Sequence, residues 1–242
     1  MFNIHTYYII EGEPCLLNVD AAHLLPSYPS QVALSVGLHP WKVDEAWRDS
    51  FDAVRTAAVR EDVWAIGECG LDKAHGSLAE IDKEASLSLQ MEGFRAHIAL
   101  AEEVQKPMLI HCVRAFDELF RLRQEFVTKC KQQGRVPQPW VIHGFRGKPE
   151  QAKQIMAKGL MLSFGHHYNL QTLRSVFRGF SENSEDSEHS ESSVFSLTPF
   201  FLETDDCRLS VSQIYEQVAH HLGIDVGLLD HLCDPRQSLF SR

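Results

Sequence analysis

The sequence predicts an α/β fold in which eight parallel strands close into a barrel, and three observations lead to it. Eight short apolar runs recur along the chain, segments with helical periodicity lie between the later ones, and 242 residues suffice for one barrel domain. Apolar runs this short, bounded by Gly, Pro and polar residues, are typical of strands buried on both faces of a parallel sheet. We therefore expect a (β/α)8 TIM barrel, with residues 1–242 forming a single domain.

The predicted strands leave room for helices mainly in the later part of the chain. Their bounds are 2–5, 15–19, 32–38, 63–67, 107–111, 139–143, 159–164 and 199–203. Apolar residues at helical spacing predict helices over 85–103 and 116–130, and Pro149 begins a third helix that Gly159 ends. The stretch 6–14 is too short for an ordinary crossover helix, so the barrel is expected to be irregular near its N-terminus.

One segment differs from the rest in composition. Residues 181–193 read SENSEDSEHSESS, a serine-rich and acidic tract without apolar residues. Such a tract cannot bury enough apolar surface to offset the entropy of ordering it, so we expect a mobile insertion. Because it follows a helix and precedes the last strand, we expect it on the N-terminal rim of the barrel.

Composition restricts the class of partner. The formal net charge is −10, which argues against a broad basic surface that grips nucleic acid. The six cysteines form no CxxC pair. No signal peptide or long apolar span is visible, so we predict a cytoplasmic protein without a membrane partner.

Six of the apolar runs end on residue types that bind metal ions: His5, His39, Glu68, His111, His143 and Asp205. A parallel barrel gathers the C-terminal ends of its strands on one rim, so these side chains are expected to converge there. Zinc and the harder divalent cations accept carboxylate oxygen and imidazole nitrogen together. The strongest candidate set comprises Glu68, His111, His143 and Asp205.

These residues also carry a family resemblance. The segment 65–72, AIGECGLD, resembles the AIGE-x-GLD signature of the TatD family of metal-dependent hydrolases. Four further segments resemble other motifs of that family in order and spacing: SVGLHP at 35–40, IHCVRA at 110–115, HGFRG at 143–147 and LETD at 202–205.

The resemblance implies an amidohydrolase-type barrel that holds one or two divalent ions, with Mg, Mn or Zn as candidates. It implies that Glu68 bridges two ions and that His111 and His143 complete one coordination sphere. It further implies that Asp205 binds the other ion and acts as the base for the attacking water.

The N-terminal motif departs from the family pattern. His5 is retained as a metal-ligand candidate, but Tyr7 stands where a second histidine belongs. A neutral phenol is a poor metal ligand because its ordinary pKa is about 10. The ion that His5 would help to bind is therefore expected to be held weakly.

Other residues near the strand ends are candidates for substrate binding or for orienting ligands. His39 either contacts a substrate phosphate or orients a metal ligand. Arg114 and Arg146 either reach a phosphate with the guanidinium fork or are exposed surface arginines. Glu203 lies two residues before Asp205, so it points to the same side of the strand and is placed to orient a ligand.

The predicted function is that of a TatD-like deoxyribonuclease, which cleaves phosphodiester bonds through a metal-activated water. An acidic protein binds long duplexes poorly, so DNA ends or short single strands are the expected substrates. Two alternatives stay open: a metal-dependent hydrolase of a small ester or amide, and a non-enzymatic scaffold with a decayed site.

Overall fold

The computed structural model describes residues 1–74, 80–185 and 200–240. Its strands are β1 (Asn3–Thr6), β2 (Cys15–Val19), β3 (Val32–Val36), β4 (Val63–Asp72), β5 (Met108–Val113), β6 (Trp140–Ile142), β7 (Met161–Phe164) and β8 (Phe201–Leu202). The helices are α1 (Trp47–Ala58), α2 (Glu80–Val104), α3 (Phe116–Gln132), α4 (Pro149–Ala157), α5 (Leu170–Glu185), α6 (Val211–Leu222), α7 (Val226–Cys233) and α8 (Pro235–Ser238). The strand order follows the chain from β1 to β8, so the predicted (β/α)8 fold class is confirmed.

The predicted irregularity near the N-terminus is also confirmed. Residues 7–14, between β1 and β2, contain no helix, and the β2–β3 connection holds only a short 3-10 helix at Ala21–His23. The serine-rich tract is described in part. Its first residues, 181–185, form the end of α5, and 186–193 lie outside the described residues.

The strand bounds correct the expectation that every candidate ligand lies at a strand end. β4 continues to Asp72 and β5 to Val113, so Glu68 and His111 lie inside their strands. Two glycines explain the extension of β4. Gly67 and Gly70 have φ values of 151° and 146°, and a Cβ at either position would collide with the backbone of β5. Glycine therefore lets β4 run close beside β5 beyond its apolar part.

The chain divides into two compact units, which are described separately. The terminal unit comprises Met1–Leu17 and His143–Arg242, and the central unit comprises Asn18–Ile142. Whether the chain behaves as one domain stays a prediction.

The central unit is built on β3 to β6, which pair in parallel. Trp140 on β6 is fully buried; its ring stacks on Phe126 of α3 at 5.7 Å and meets the edge of Phe94 of α2 at 5.4 Å. The guanidinium of Arg123 lies 5.0 Å from the Trp140 ring and donates to the Gln138 carbonyl. These contacts fix α2 and α3 against β6, which pairs with β5, the strand that carries His111.

The terminal unit is built on β7, β8, β1 and the start of β2. β7 pairs with β8, Thr6 of β1 bridges Asp205 just after β8, and β1 pairs with β2. Helix α6 begins at a capping box formed by Ser210 and Gln213 and ends at Gly223, whose φ of 70° suits glycine. Tyr215 on α6 donates its hydroxyl to the Phe2 carbonyl and so anchors the helix on β1.

None of the described helices combines the length and the apolar character that a bilayer span requires. All six cysteines are free thiols.

Candidate metal centre

In the central unit, Glu68 and His39 lie within ion-pair distance of each other. The Glu68 carboxylate is 3% exposed, and its backbone N–H donates to Oδ1 of Asn18 at 2.8 Å. His39 follows β3, and its Nδ1 accepts from the Trp41 amide at 3.2 Å. Neutral His39 therefore carries its proton on Nε2, which lies 3.2 Å from Oε1 of Glu68. This geometry lets His39 orient the Glu68 carboxylate.

His111 on β5 lies between two carboxylates. Its Nδ1 is 2.9 Å from Oε1 of Glu68, and its Nε2 is 3.1 Å from Oδ2 of Asp72. A neutral imidazole has one N–H and one lone pair, so it can donate to only one of these oxygens. Both contacts become favourable when the ring carries two protons or when a cation lies at one nitrogen. The arrangement therefore favours positive charge at this position.

Asp72 is ionised in this environment and was not among the predicted ligands. Burial raises the pKa of its carboxyl, but hydrogen bonds from His111, the Ala74 amide and the Trp41 indole outweigh burial and hold the pKa below its ordinary value. The Trp41 Nε1 donates to Oδ2 at 2.7 Å. Asp72 thus adds a second negative charge beside His111.

In the terminal unit, His5, His143 and two carboxylates lie together. His5 is fully buried, its Nε2 is 3.5 Å from Oδ1 of Asp205, and its ring centre is 4.3 Å from that of His143. Nδ1 of His143 is 3.4 Å from Oε1 of Glu203. The Glu203 side chain is fully buried, and its other oxygen accepts from the Ser163 hydroxyl. Glu203 therefore contacts a candidate ligand, as an orienting carboxylate should.

Asp205 is held in an uncommon backbone conformation. Its φ is 53°, in the left-handed region that non-glycine residues rarely adopt. Its N–H donates to the His5 carbonyl at 3.0 Å, and its own carbonyl accepts from the Tyr7 amide at 3.1 Å. Backbone strain of this kind costs about 1–3 kcal/mol and clusters at functional sites. Arg114, directly after β5, shares the feature with a φ of 55°.

The donor sets fit divalent cations. His39, Glu68 and His111 each offer one ligand atom, and these atoms lie within 4.8 Å of one another. His143, Glu203 and Asp205 form a second such group in the terminal unit. Mixed imidazole and carboxylate donors of this type suit zinc and manganese. We call the first group the central cluster and the second, together with His5, the terminal cluster.

The predicted accessory residues are more exposed. Tyr7 is 42% exposed and lies edge-on to His5, with ring centres 5.5 Å apart. Arg114 and Arg146 are both exposed. Arg146 is near enough to His166 to help lower the pKa of that imidazole, after the larger effects of burial and of His167. The binding roles predicted for these residues stay predictions.

Sequence reasoning missed three residues that hold the clusters in place: Asn18, Trp41 and Ser163. Asn18 and Ser163 each interrupt an apolar run, and a polar residue within a buried strand is a usable signal because it requires a hydrogen-bond partner. Trp41 follows the His39–Pro40 pair and gave no such signal.

Known proteins resemble this chain in sequence. The family model described as "TatD related DNase" matches residues 12–184. A 3'-5' ssDNA/RNA exonuclease TatD of Yersinia pseudotuberculosis is 30% identical over 156 residues, which cover 64% of this chain and 54% of that protein. An uncharacterized metal-dependent hydrolase of Bacillus subtilis is 32% identical over 131 residues, which cover 54% of this chain and 46% of that protein. The chain thus matches about half the length of these curated relatives.

Solved structures share the fold. A TatD homologue of Escherichia coli superposes with a TM-score of 0.65 at 16% identity, covering 100% of this chain and 98% of the other. A TatD-family hydrolase of Entamoeba histolytica gives a TM-score of 0.62 at 13% identity, covering 94% and 93% of the two chains. Both likenesses agree with the (β/α)8 architecture.

Proposed function

This chain belongs to the TatD family of metal-dependent hydrolases, and on that premise we propose that it hydrolyses phosphodiester bonds in single-stranded nucleic acid. The proposal rests above all on His111, whose two ring nitrogens both face carboxylate oxygens. A cation at this position would accept the imidazole lone pair and balance the charge of the nearby carboxylates, and both are features of a divalent metal site.

We assign the metal-binding role to residues of both clusters: Glu68 and His111 in the central cluster, and His5, His143 and Asp205 in the terminal cluster. Divalent ions held by these residues would polarise a phosphoryl oxygen and lower the pKa of a bound water towards neutrality. His39 is assigned to orient the Glu68 carboxylate, whose Oε1 lies 3.2 Å from Nε2 of that imidazole. Glu203 is assigned to orient His143, because its Oε1 lies 3.4 Å from Nδ1 of that imidazole and favours the tautomer with its proton on Nδ1.

Asp205 is assigned the role of general base. Its carboxylate is part-exposed, with 24% of the side chain accessible, so an attacking water can reach it. The backbone bonds to His5 and Tyr7 hold the main chain of this residue in place, which limits where its carboxylate can lie when it accepts the proton of that water. Arg114 and Arg146 are assigned to substrate phosphates, where an exposed guanidinium is available without a desolvation cost.

The substrate assignment combines the charge of this chain with the activities named for relatives. The Yersinia relative is named as a 3'-5' exonuclease on single-stranded DNA and RNA. A chain with a net charge of −10 gains little non-specific affinity for long duplexes. We therefore propose action from 3' ends of short single strands. A cytoplasmic location agrees with the six free thiols.

The test is cleavage of single-stranded oligonucleotides labelled at either end, with Mn²⁺ or Mg²⁺ and with a chelator. We expect metal-dependent release of nucleotides from the 3' end, and a loss of at least about 100-fold in kcat for Asp205→Asn. Asp206→Asn, at the neighbouring residue, is the matched control and should retain activity. Equal activity in chelator would overturn the metal role. Hydrolysis of small esters or amides without any cleavage of oligonucleotides would overturn the substrate assignment.

A further inference from the structure

Trp41 is unusually exposed for a tryptophan. Its relative exposure is 56%, whereas Trp47 and Trp140 are 4% and 0% exposed and Trp64 is intermediate. Leaving this much aromatic surface in water forgoes part of the stabilisation that its burial would provide. An exposed ring beside a candidate active site is available to contact a ligand.

The ring is also fixed in place. Its Nε1–H donates to Oδ2 of Asp72 at 2.7 Å, and its backbone lies in the 3-10 helix Pro40–Lys42. The ring meets the imidazoles of His39 and His111 edge-on, with centres 5.0 Å and 6.3 Å away. The indole is therefore held against the central cluster by its N–H and by perpendicular ring contacts, and its exposed surface has a defined orientation.

A fixed aromatic surface beside a phosphodiesterase site suits a nucleobase. Every base has a π-face, so stacking on an aromatic side chain strengthens binding of single strands without requiring a particular sequence. Bases within a duplex are already stacked and paired, so they are not available to such a surface. An acidic chain has little basic surface for phosphates, which makes a non-ionic contribution to affinity more important.

We propose that Trp41 stacks on an unpaired nucleobase of the substrate and thereby selects single-stranded ends. This inference rests on the proposed function and adds to it the residue that recognises the base. A stacking role accounts for a ring that is both anchored and exposed. The hydrogen bond to Asp72 then positions the indole for stacking.

The first arm of the test measures binding without cleavage. The wild-type protein in chelator is titrated with a short oligothymidylate and with an abasic oligomer of equal length, and tryptophan fluorescence is recorded. We expect the oligothymidylate to quench the emission and the abasic strand to leave it nearly unchanged. Trp41→Leu should abolish this quenching and weaken binding by about 5- to 150-fold, the range for loss of one base–aromatic stack. Trp41→Phe keeps a ring and should retain most of the affinity.

The second arm measures cleavage with metal present. Trp41→Leu and Trp41→Phe both lose the N–H that Asp72 accepts, so the two variants are compared with each other. Because stacking binds ground state and transition state alike, Trp41→Leu should have the higher KM for single strands, and its kcat should equal that of Trp41→Phe within about twofold. Leu25→Ala is the matched control, since Leu25 is equally exposed at 56% within the same unit. It should change neither affinity nor KM.

The outcomes separate the two proposals. Equal binding of abasic and base-containing strands, or unchanged affinity in Trp41→Leu, would overturn the stacking role even if the wild type cleaves single strands. A wild type that is quenched only by base-containing strands but cleaves none of them with any divalent metal would overturn the nuclease proposal and leave base stacking standing.

Discussion

His97 on α2 should make folding stability fall in mildly acidic solution. The side chain is 1% exposed and packs edge-on to Phe51 at 4.7 Å. Its Nε2 accepts from the Leu38 amide at 2.9 Å, and its Nδ1 lies 2.7 Å from the Gly93 carbonyl, to which it donates. Both bonds form only in the neutral ring with its proton on Nδ1, so a second proton would break the bond to Leu38.

The magnitude follows from the shift in pKa. Burial lowers the pKa of His97 from 6.5 to about 4, against the smaller opposing effect of the Gly93 carbonyl. The unfolded chain therefore binds the extra proton first, and the stabilisation present above pH 6.5 is lost as the pH falls through 4. A difference of one pH unit in pKa corresponds to about 1.36 kcal/mol. The free energy of unfolding should therefore fall by about 2 kcal/mol by pH 5 and by about 3 kcal/mol below pH 4.

The assay is urea unfolding of the wild type and of His97→Gln at a series of pH values between 7.5 and 4.5, comparing the change in free energy of unfolding with pH. The variant should be less stable at pH 7.5, since it lacks the bond to Gly93, but its stability should fall less steeply with acidification. His23→Gln removes an exposed histidine and should keep the wild-type slope. Identical slopes for the wild type and His97→Gln would refute the reasoning.

Two further predictions concern the clusters and their support. Glu203→Gln keeps the shape of the side chain but removes the charge that faces His143, so Mn²⁺ affinity measured by calorimetry should weaken about 10- to 100-fold. Glu103→Gln, at an exposed glutamate, should leave the affinity unchanged, and an equal affinity in both variants would contradict the orienting role. Gly70→Ala should destabilise the protein by at least about 2 kcal/mol in urea unfolding, because the new Cβ collides with the His111 carbonyl at a φ of 146°. Gly134→Ala has a φ of 64° but open space around the Cβ, so it should cost only about 1–2 kcal/mol, and equal losses in the two variants would argue against the collision.

The sequence predicted the strands well where apolar runs have clear ends. Residues 15–19 were predicted as a strand and form β2 with the same bounds. The prediction stopped too early at β4, where the apolar run ends but the strand continues to Asp72. Apolar periodicity reports burial, whereas the extension depends on Gly67 and Gly70 fitting against a neighbouring backbone. That contact is set by tertiary structure and is invisible in local composition.

The sequence predicted which residues form the candidate site, but it did not predict which side chains they contact. Placing His39, Glu68 and His111 after or within parallel strands follows from the motif positions, because parallel strands align their ends. The hydrogen-bond partners that orient these residues could not be predicted from the motif positions. The bond from Glu68 to Asn18 spans fifty positions of sequence, and nothing in either segment specifies which polar side chain the other meets. Ser163 and Glu203 are likewise forty positions apart.

The central claim, that this chain is a metal-dependent hydrolase, is tested most directly by counting bound ions. Protein stripped with chelator, dialysed against Mn²⁺ or Zn²⁺ and passed through a desalting column should retain one or two ions per chain by elemental analysis. Metal at 100 times its Kd should stabilise the fold by about 2.7 kcal/mol. His111→Ala should lose the ion of the central cluster and so retain fewer ions than the wild type, whereas His220→Ala, at an exposed histidine, should retain as many. No ion above background in the wild type, with no thermal shift on adding metal, would contradict the account.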